Sequence, residues 1–240
     1  MEKSKRREAL RLRFRSTKGV LPLWFLSASL VFLAASCAST TVYNIDLAYI
    51  PTGDSPTTVE AVDGPTVTVA LFNDERTIDD PIVIGRVVEA NGRPSPILPQ
   101  HREPCRAVVQ AVSAFLTHAG YRVAPDHPPW DLREESIDPS WGKILLGGTI
   151  NELFIECDRS RPLRRYSSRV NLTFVLADVK NKSILHRVTV DTAPVKQHLR
   201  FSEIKIEEEL SNALSQALEK AFAESDLPNL INGLRDRRNE

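Results

Sequence analysis

The amino-acid sequence predicts an α+β fold, an antiparallel or mixed sheet of about four to five strands with two helices packed on one face. Three observations predict it. A β-branched run, Thr66-Val-Thr-Val-Ala-Leu-Phe72, is bounded by Gly64-Pro65 and Asn73-Asp74. Segments at about 143–156, 166–178 and 184–193 read as an antiparallel meander, with Val170, Leu172, Phe174 and Leu176 alternating onto one face. Two amphipathic helices open near Pro104 and Ser202.

Ahead of this domain the chain has a different character. Residues 1–18 carry Lys3, Lys5, Arg6, Arg7, Arg11, Arg13, Arg15 and Lys18 against Glu2 and Glu8, and an uncharged, mostly apolar run follows from Gly19 to Ser36. A basic start followed by an apolar stretch of this length is an export signal, not part of the fold. The run ends in Leu33-Ala34-Ala35-Ser36-Cys37, which resembles the lipobox of bacterial lipoprotein precursors. It departs from the commonest form, since Ala34 stands three places before the cysteine and Leu33 one place earlier. The resemblance implies that Cys37 is acylated and becomes the mature N-terminus, and two or more acyl chains suffice for stable anchoring. Ala38 and Ser39 follow, with no Asp directly after the cysteine. Under enterobacterial-type sorting this points to the periplasmic face of the outer membrane.

Without residues 1–36 the 31 basic and 31 acidic side chains become 23 and 29, a formal charge of −6. A mildly acidic domain is ill suited to nucleic acid, so that partner class is set aside. The Thr-, Ser- and Pro-rich stretch 37–65 reads as a flexible tether, 66–224 as a single domain and 225–240 as a frayed tail.

Within the domain, Val83–Val88 with Asn91-Gly92 suggests a short hairpin, after which Pro94, Pro96 and Pro99 argue against regular structure. The first helix has Pro104 in its opening turn, buries Val108, Val109, Val112, Phe115, Leu116 and Ala119, and stops at Gly120. A short strand, Tyr121–Val123, follows, and the proline-rich 125–142 reads as a surface insertion. Gly147 and Gly148 suggest a bulge, or close packing of a strand on a helix. The second helix takes Ser202 as its cap, with Phe201 and Ile206 placed for a hydrophobic staple. It presents Ile206, Leu210, Ala213, Leu214, Ala217, Leu218, Ala221 and Phe222 to the sheet.

Phe72-Asn-Asp-Glu-Arg76 with Ile84-Gly85, Ala119-Gly-Tyr-Arg-Val123 and Leu146-Gly-Gly-Thr-Ile150 are local landmarks. Together with the element order they resemble those of the YajG-like group of small Gram-negative envelope lipoproteins. The resemblance covers about residues 66–224. It implies fold and compartment and supplies no catalytic residues.

No nucleophile elbow, phosphate loop or dinucleotide fingerprint occurs, and none of His101, His118, His127, His186 and His198 has a zinc-ligand spacing. The expectation is a non-enzymatic protein without metal or cofactor. Cys105 and Cys157 either pair in an oxidising periplasm or remain two separate thiols. The densest basic cluster of the mature domain holds Arg159, Arg161, Arg164 and Arg165, which either meet an anionic partner or lie in a solvated turn. The function expected is therefore a membrane-anchored, periplasm-facing lipoprotein that binds another envelope component or serves an envelope transport or assembly complex. The alternative is a lipid- or glycolipid-binding module, which calls for an apolar pocket opening near the arginines.

Overall fold

The computed structural model describes residues 41–52, 64–100 and 103–236, so the export segment, Cys37, His101 and the last four residues lie outside it. The larger of the chain's two compact units begins at Thr41. In chain order its elements are β1 (Tyr43–Ile45), β2 (Thr66–Val69), β3 (Asn73–Asp74), β4 (Gly85–Val88), β5 (Pro94–Pro99), α1 (Pro104–His118), β6 (Arg122–Val123), a 3₁₀ turn at Pro139–Trp141, β7 (Ile144–Asp158), β8 (Arg164–Asp178), β9 (Ser183–Thr192), β10 (Val195–His198), α2 (Glu203–Ala223) and α3 (Leu227–Asp236).

The long hairpin of β7 and β8 is the spine. It pairs from Ile144↔Asp178 to Asp158↔Arg165, with a bulge between Ile150 and Glu152. The other edge of β7 takes β2, β3 and β4 in parallel, one after another along its length. Beyond β4 lie β5 and then β1; beyond β2 lies β6. The outer edge of β8 takes β9 over its second half and β10 over Arg164–Ser167. The described sheet is thus mixed and ten-stranded, larger than the four to five strands expected. The additional strands are two to six residues long, too short to show a period, and most of them pair with partners remote in sequence.

The proline segment is one correction. Pro94, Pro96 and Pro99 belong to β5, where regular structure was not expected. Ile97 offers its carbonyl to Ile84 N on the β4 side (2.9 Å), and Arg93 does the same for Glu89 N. Odd-numbered residues therefore direct their backbone polar groups to β4, and the missing N–H groups of Pro94 and Pro96 fall on the β1 side. There β1 reaches only Ile97–Pro99, so no ladder bond is lost.

One face of the sheet carries the main core. Val108, Val109, Val112, Phe115 and Leu116 of α1 and the expected row of α2 are buried there with Tyr166, Val170, Leu172 and Phe174. A third helix joins them, with Leu227 and Ile231 fully buried, so residues 227–236 are an element and not a frayed tail. Ser202 precedes α2 in extended conformation, but its side chain makes no capping bond.

The opposite face is closed at one end by the segment expected to be a surface insertion. Trp130, Leu132 and Ile137 pack on Ala70, Leu145, Val175, Ala177 and Val179. This explains the two glycines. A Cβ on Gly147 would lie 2.7 Å from the Trp130 ring, and one on Gly148 2.0 Å from the Thr173 carbonyl oxygen and 2.6 Å from Phe72. The close approach is to two aromatic rings and the neighbouring strand's backbone, not to a helix, and the bulge sits three residues further on.

The described part of the stretch read as a tether is also fixed. Tyr43, Ile45 and Leu47 are core residues. Beyond β1, every second backbone N–H meets α2: Asp46 N donates to Glu207 Oε2 (3.0 Å), Ala48 N to Ser211 Oγ (3.3 Å), Ile50 N to Ser215 Oγ (2.8 Å) and Thr52 N to Glu219 Oε1 (3.1 Å). Two extended residues advance about 6.8 Å and four helical residues about 6 Å, so the two periods keep step.

Candidate functional site

The end of the sheet where β7 turns into β8 gathers the arginine cluster, and the structure divides it in two. Arg159 Nη1 donates to Glu89 Oε2 (2.8 Å) and to Tyr43 Oη (3.0 Å), and its guanidinium lies 4.0 Å from the Phe201 ring centroid. Tyr43 in turn donates to Glu89 Oε1 (2.7 Å) and meets Phe201 edge-on. Burial, with Glu89 beside it, raises the Tyr43 phenol above its ordinary value. This one cation therefore joins the β4–β5 hairpin, the start of β1 and the approach to α2, and its ion pair and cation–π contact contribute about 1–2 kcal/mol. Arg164 Nη1 donates to the carbonyl of Arg159 (2.7 Å) and to that of Arg161, pinning the loop from within. Arg159 and Arg164 thus make contacts within the chain, a role beside the two the sequence offered, an anionic partner or a solvated turn.

Arg161 and Arg165 are different. Arg161 reaches Asp158 at 3.3 Å, but 69% of its side chain is exposed, so the pair adds little to stability. Hydrogen bonds from Ser160, then Arg161 and Arg165, hold the Asp158 carboxyl below its usual value. Arg165 is exposed on the sheet face away from the helices. With Arg161, Arg169, Ser167, Glu156 and Asp158 it lines an open hollow of about 380 Å³. This hollow is charged, not the apolar pocket that a glycolipid-binding module requires. A more apolar hollow of about 410 Å³ lies on the β4–β5 hairpin, lined by Ile78, Val83, Pro94, Pro96 and Phe154 together with Asp79, Asp80 and Arg86.

Exposed apolar side chains cluster at the same end. Register pairs His198 with Arg164, so Leu199 follows opposite Leu163. Leu199 is 81% and Leu163 45% exposed, with Ile204 of the first turn of α2 (67%) and Val42 (44%) beside β1. The sequence showed the arginines as a row. The tie of Arg159 to Glu89, Tyr43 and Phe201 spans too much chain to have been read from spacing.

The two cysteines lie elsewhere in the fold. Cys105 and Cys157 are separate free thiols, so the disulfide considered from the sequence is absent from the structure. Cys157 is held inside β7 between Val87 and Tyr166, while Cys105 sits in the first turn of α1. Burial pushes Cys157 up to about 11 and raises Cys105 as well. Burial, with Cys157 beside it, takes Tyr166 to about 12. All three stay protonated at neutral pH. Arg76 is buried and donates from Nε and Nη2 to the two carboxylate oxygens of Asp74, from Nη1 to the carbonyl of Val83 and from Nη2 to that of Pro81. Burial opposes ionisation of Asp74, yet Arg76 holds its carboxyl below the ordinary value. At the bulge, Asn151 Nδ2 donates to Asn171 Oδ1 (2.8 Å) and Thr173 Oγ1 (2.9 Å), satisfying polar groups inside the strand pair. Among the described residues no group of three or more His, Cys, Asp or Glu side chains could hold a metal ion. None of the described helices is long and apolar enough to cross a membrane.

No protein-family model matches the chain, and no curated protein matches it. Solved structures do. A Xanthomonas campestris protein of the DUF330 family is 16% identical with a TM-score of 0.48, covering 82% of this chain and 99% of that one. The PelC dodecamer protein of Paraburkholderia phytofirmans is 14% identical with a TM-score of 0.35, covering 68% and 91%. Lipoprotein GNA1162 of Neisseria meningitidis is 13% identical with a TM-score of 0.35, covering 67% and 99%. They include a Gram-negative lipoprotein, but none of the three is described as YajG-like. None reaches a TM-score of 0.5, so no property of theirs is carried over. The landmarks behind the YajG-like resemblance have packing roles here: Phe72 meets Phe174, Arg76 is the buried cation, and Gly85 lies against Ile155.

Proposed function

We propose that this chain is a bacterial envelope lipoprotein, acylated on Cys37 and facing the periplasm from the outer membrane. Its non-enzymatic α+β domain binds another envelope component, as an accessory subunit of a transport or assembly complex. The observation that carries this reading is the basic start and apolar run that end in Leu33-Ala34-Ala35-Ser36-Cys37. The compact unit begins at Thr41 and its first strand at Tyr43, directly downstream of Cys37. Every element described above lies downstream of Cys37.

The domain offers a partner two surfaces. One is the charged half of the outer sheet face, where Arg86 pairs with Glu156 (2.7 Å) and Arg169 with Glu152. The other is the sheet edge made by β9 and β10, whose strand pairing is to β8. An extended segment of a partner can add to such an edge.

The test is intact mass and membrane fractionation of the expressed protein beside a Cys37→Ser variant. Wild type gains the mass of its acyl chains, loses residues 1–36 and floats with membranes, and the variant does neither. Equal mass shift and fractionation of the two would overturn the lipoprotein reading.

A further inference from the structure

The exposed groups at the hairpin end have no role in the fold, and they lie where the chain enters it. Through Tyr43 and Arg159, β1 is fastened to the β7–β8 turn. Because β1 runs parallel to β5 from Tyr43↔Ile97 onward, the residues preceding Tyr43 emerge toward that same end. Six peptide steps separate Cys37 from Tyr43, a reach of at most about 21 Å even when fully extended. An acyl anchor on Cys37 therefore holds this end of the sheet, and not the opposite turn at Val179–Ser183, next to the bilayer.

The surface there has the composition of a bilayer interface. Residues 159–165 contain four arginines and no carboxylate, and residues 195–202 contain Lys196 and Arg200 and no carboxylate. The flanking acidic groups Glu89 and Asp158 are already matched by Arg159 and Arg161, while Glu203 is exposed at the start of α2. This basic end belongs to a mature chain of formal charge −6. Leu163 and Leu199 project beside the arginines, apolar groups of a size that enters the interfacial layer while guanidinium groups meet phosphate oxygens.

We propose that the β7–β8 turn, the residues following β10 and the start of α2 form a docking face for the anionic phospholipid surface in which the protein is anchored. In this pose Arg161, Arg165 and Arg200 engage headgroup phosphates, and Leu163 and Leu199 insert. The proposal rests on the reading of Cys37 as the anchor. It places the β9 edge, which pairs with β8 over Val170–Asp178, and the far turn away from the membrane, free for a partner.

The test is amide hydrogen exchange on the purified protein in vesicles of phosphatidylcholine with about 30% phosphatidylglycerol, in pure phosphatidylcholine vesicles and in detergent. Intact mass of the same sample reports acylation of Cys37. An unmodified Cys37 thus removes the anchor reading independently of the exchange result. Exchange at 160–163 and 199–202 is expected to slow several-fold on the anionic vesicles while 180–183 is unchanged. Arg161→Ala with Arg165→Ala, two exposed positions outside the core, should abolish most of that slowing without moving the urea midpoint. Equal exchange at both ends of the sheet, or equal slowing on phosphatidylcholine alone, would overturn the proposal.

Discussion

At the residue scale, burial separates the two cysteines, since Cys157 is fully enclosed while Cys105 is only partly covered. Cys157, raised to about 11 by burial, offers almost no thiolate at pH 8. Thiol titration should find two free cysteines in the unfolded, acylated protein, with Cys157 unreactive until the protein unfolds; a count of zero would restore the disulfide. Asp74 gives a pH-dependent prediction. Its folded value is lowered, so the stabilisation is fully present above the ordinary aspartate value of 3.8 and is lost as pH falls through the folded value. Asp74→Asn leaves a buried guanidinium without its carboxylate and should cost about 2–3 kcal/mol at pH 7. The gap between variant and wild type in chemical denaturation should shrink below pH 3.8. Gly148→Ala drives a methyl into the Thr173 carbonyl and the Phe72 ring, and should lower stability by about 3 kcal/mol in the same assay.

At the element scale, the match between an extended segment and a helix is the least conventional device in the fold. Ser211 and Ser215 are buried polar residues on α2 that accept hydrogen bonds from Ala48 and Ile50. Replacing both by Ala leaves two backbone N–H groups unpaired and should cost about 2 kcal/mol, read from the urea midpoint, with limited proteolysis near residue 50 accelerated. A signal for this was visible: Glu207, Ser211, Ser215 and Glu219 form an i, i+4 polar row on an otherwise apolar helix flank. What it could not reveal was the partner, about 160 residues away. The same distinction sorts the other elements. Helices α1 and α2 and strands β7–β9 are long enough for periodicity to declare them, whereas β1, β3 and β6 hold two or three residues and exist because β5, β7 and β2 accept them. Trp130, Leu132 and Ile137 were masked by the prolines and charges around them, although their apolar side chains had to be buried somewhere. At the candidate site the arginine row was legible, but its division into structural and exposed members depends on contacts from three other segments.

At the scale of the whole molecule, the proposed anchor on Cys37 makes the distance from anchor to fold govern what the domain can reach. Inserting roughly 15 Gly and Ser residues after Ala38 lengthens that leash to tens of ångströms. The urea midpoint should stay where it is, while the slowing of exchange at 199–202 on anionic vesicles disappears. The spine has a further consequence, one of timing. Strands β2, β3 and β4 all take β7 as their parallel neighbour, and β7 starts at Ile144. Pairings of such long sequence separation form late and slowly. On the export reading, the leading hundred residues would cross the inner membrane before the strand that orders them has emerged. On that reading, acylation and cleavage at Cys37 would precede the pairing of β2, β3 and β4 with β7, and the short leash would be set only after both.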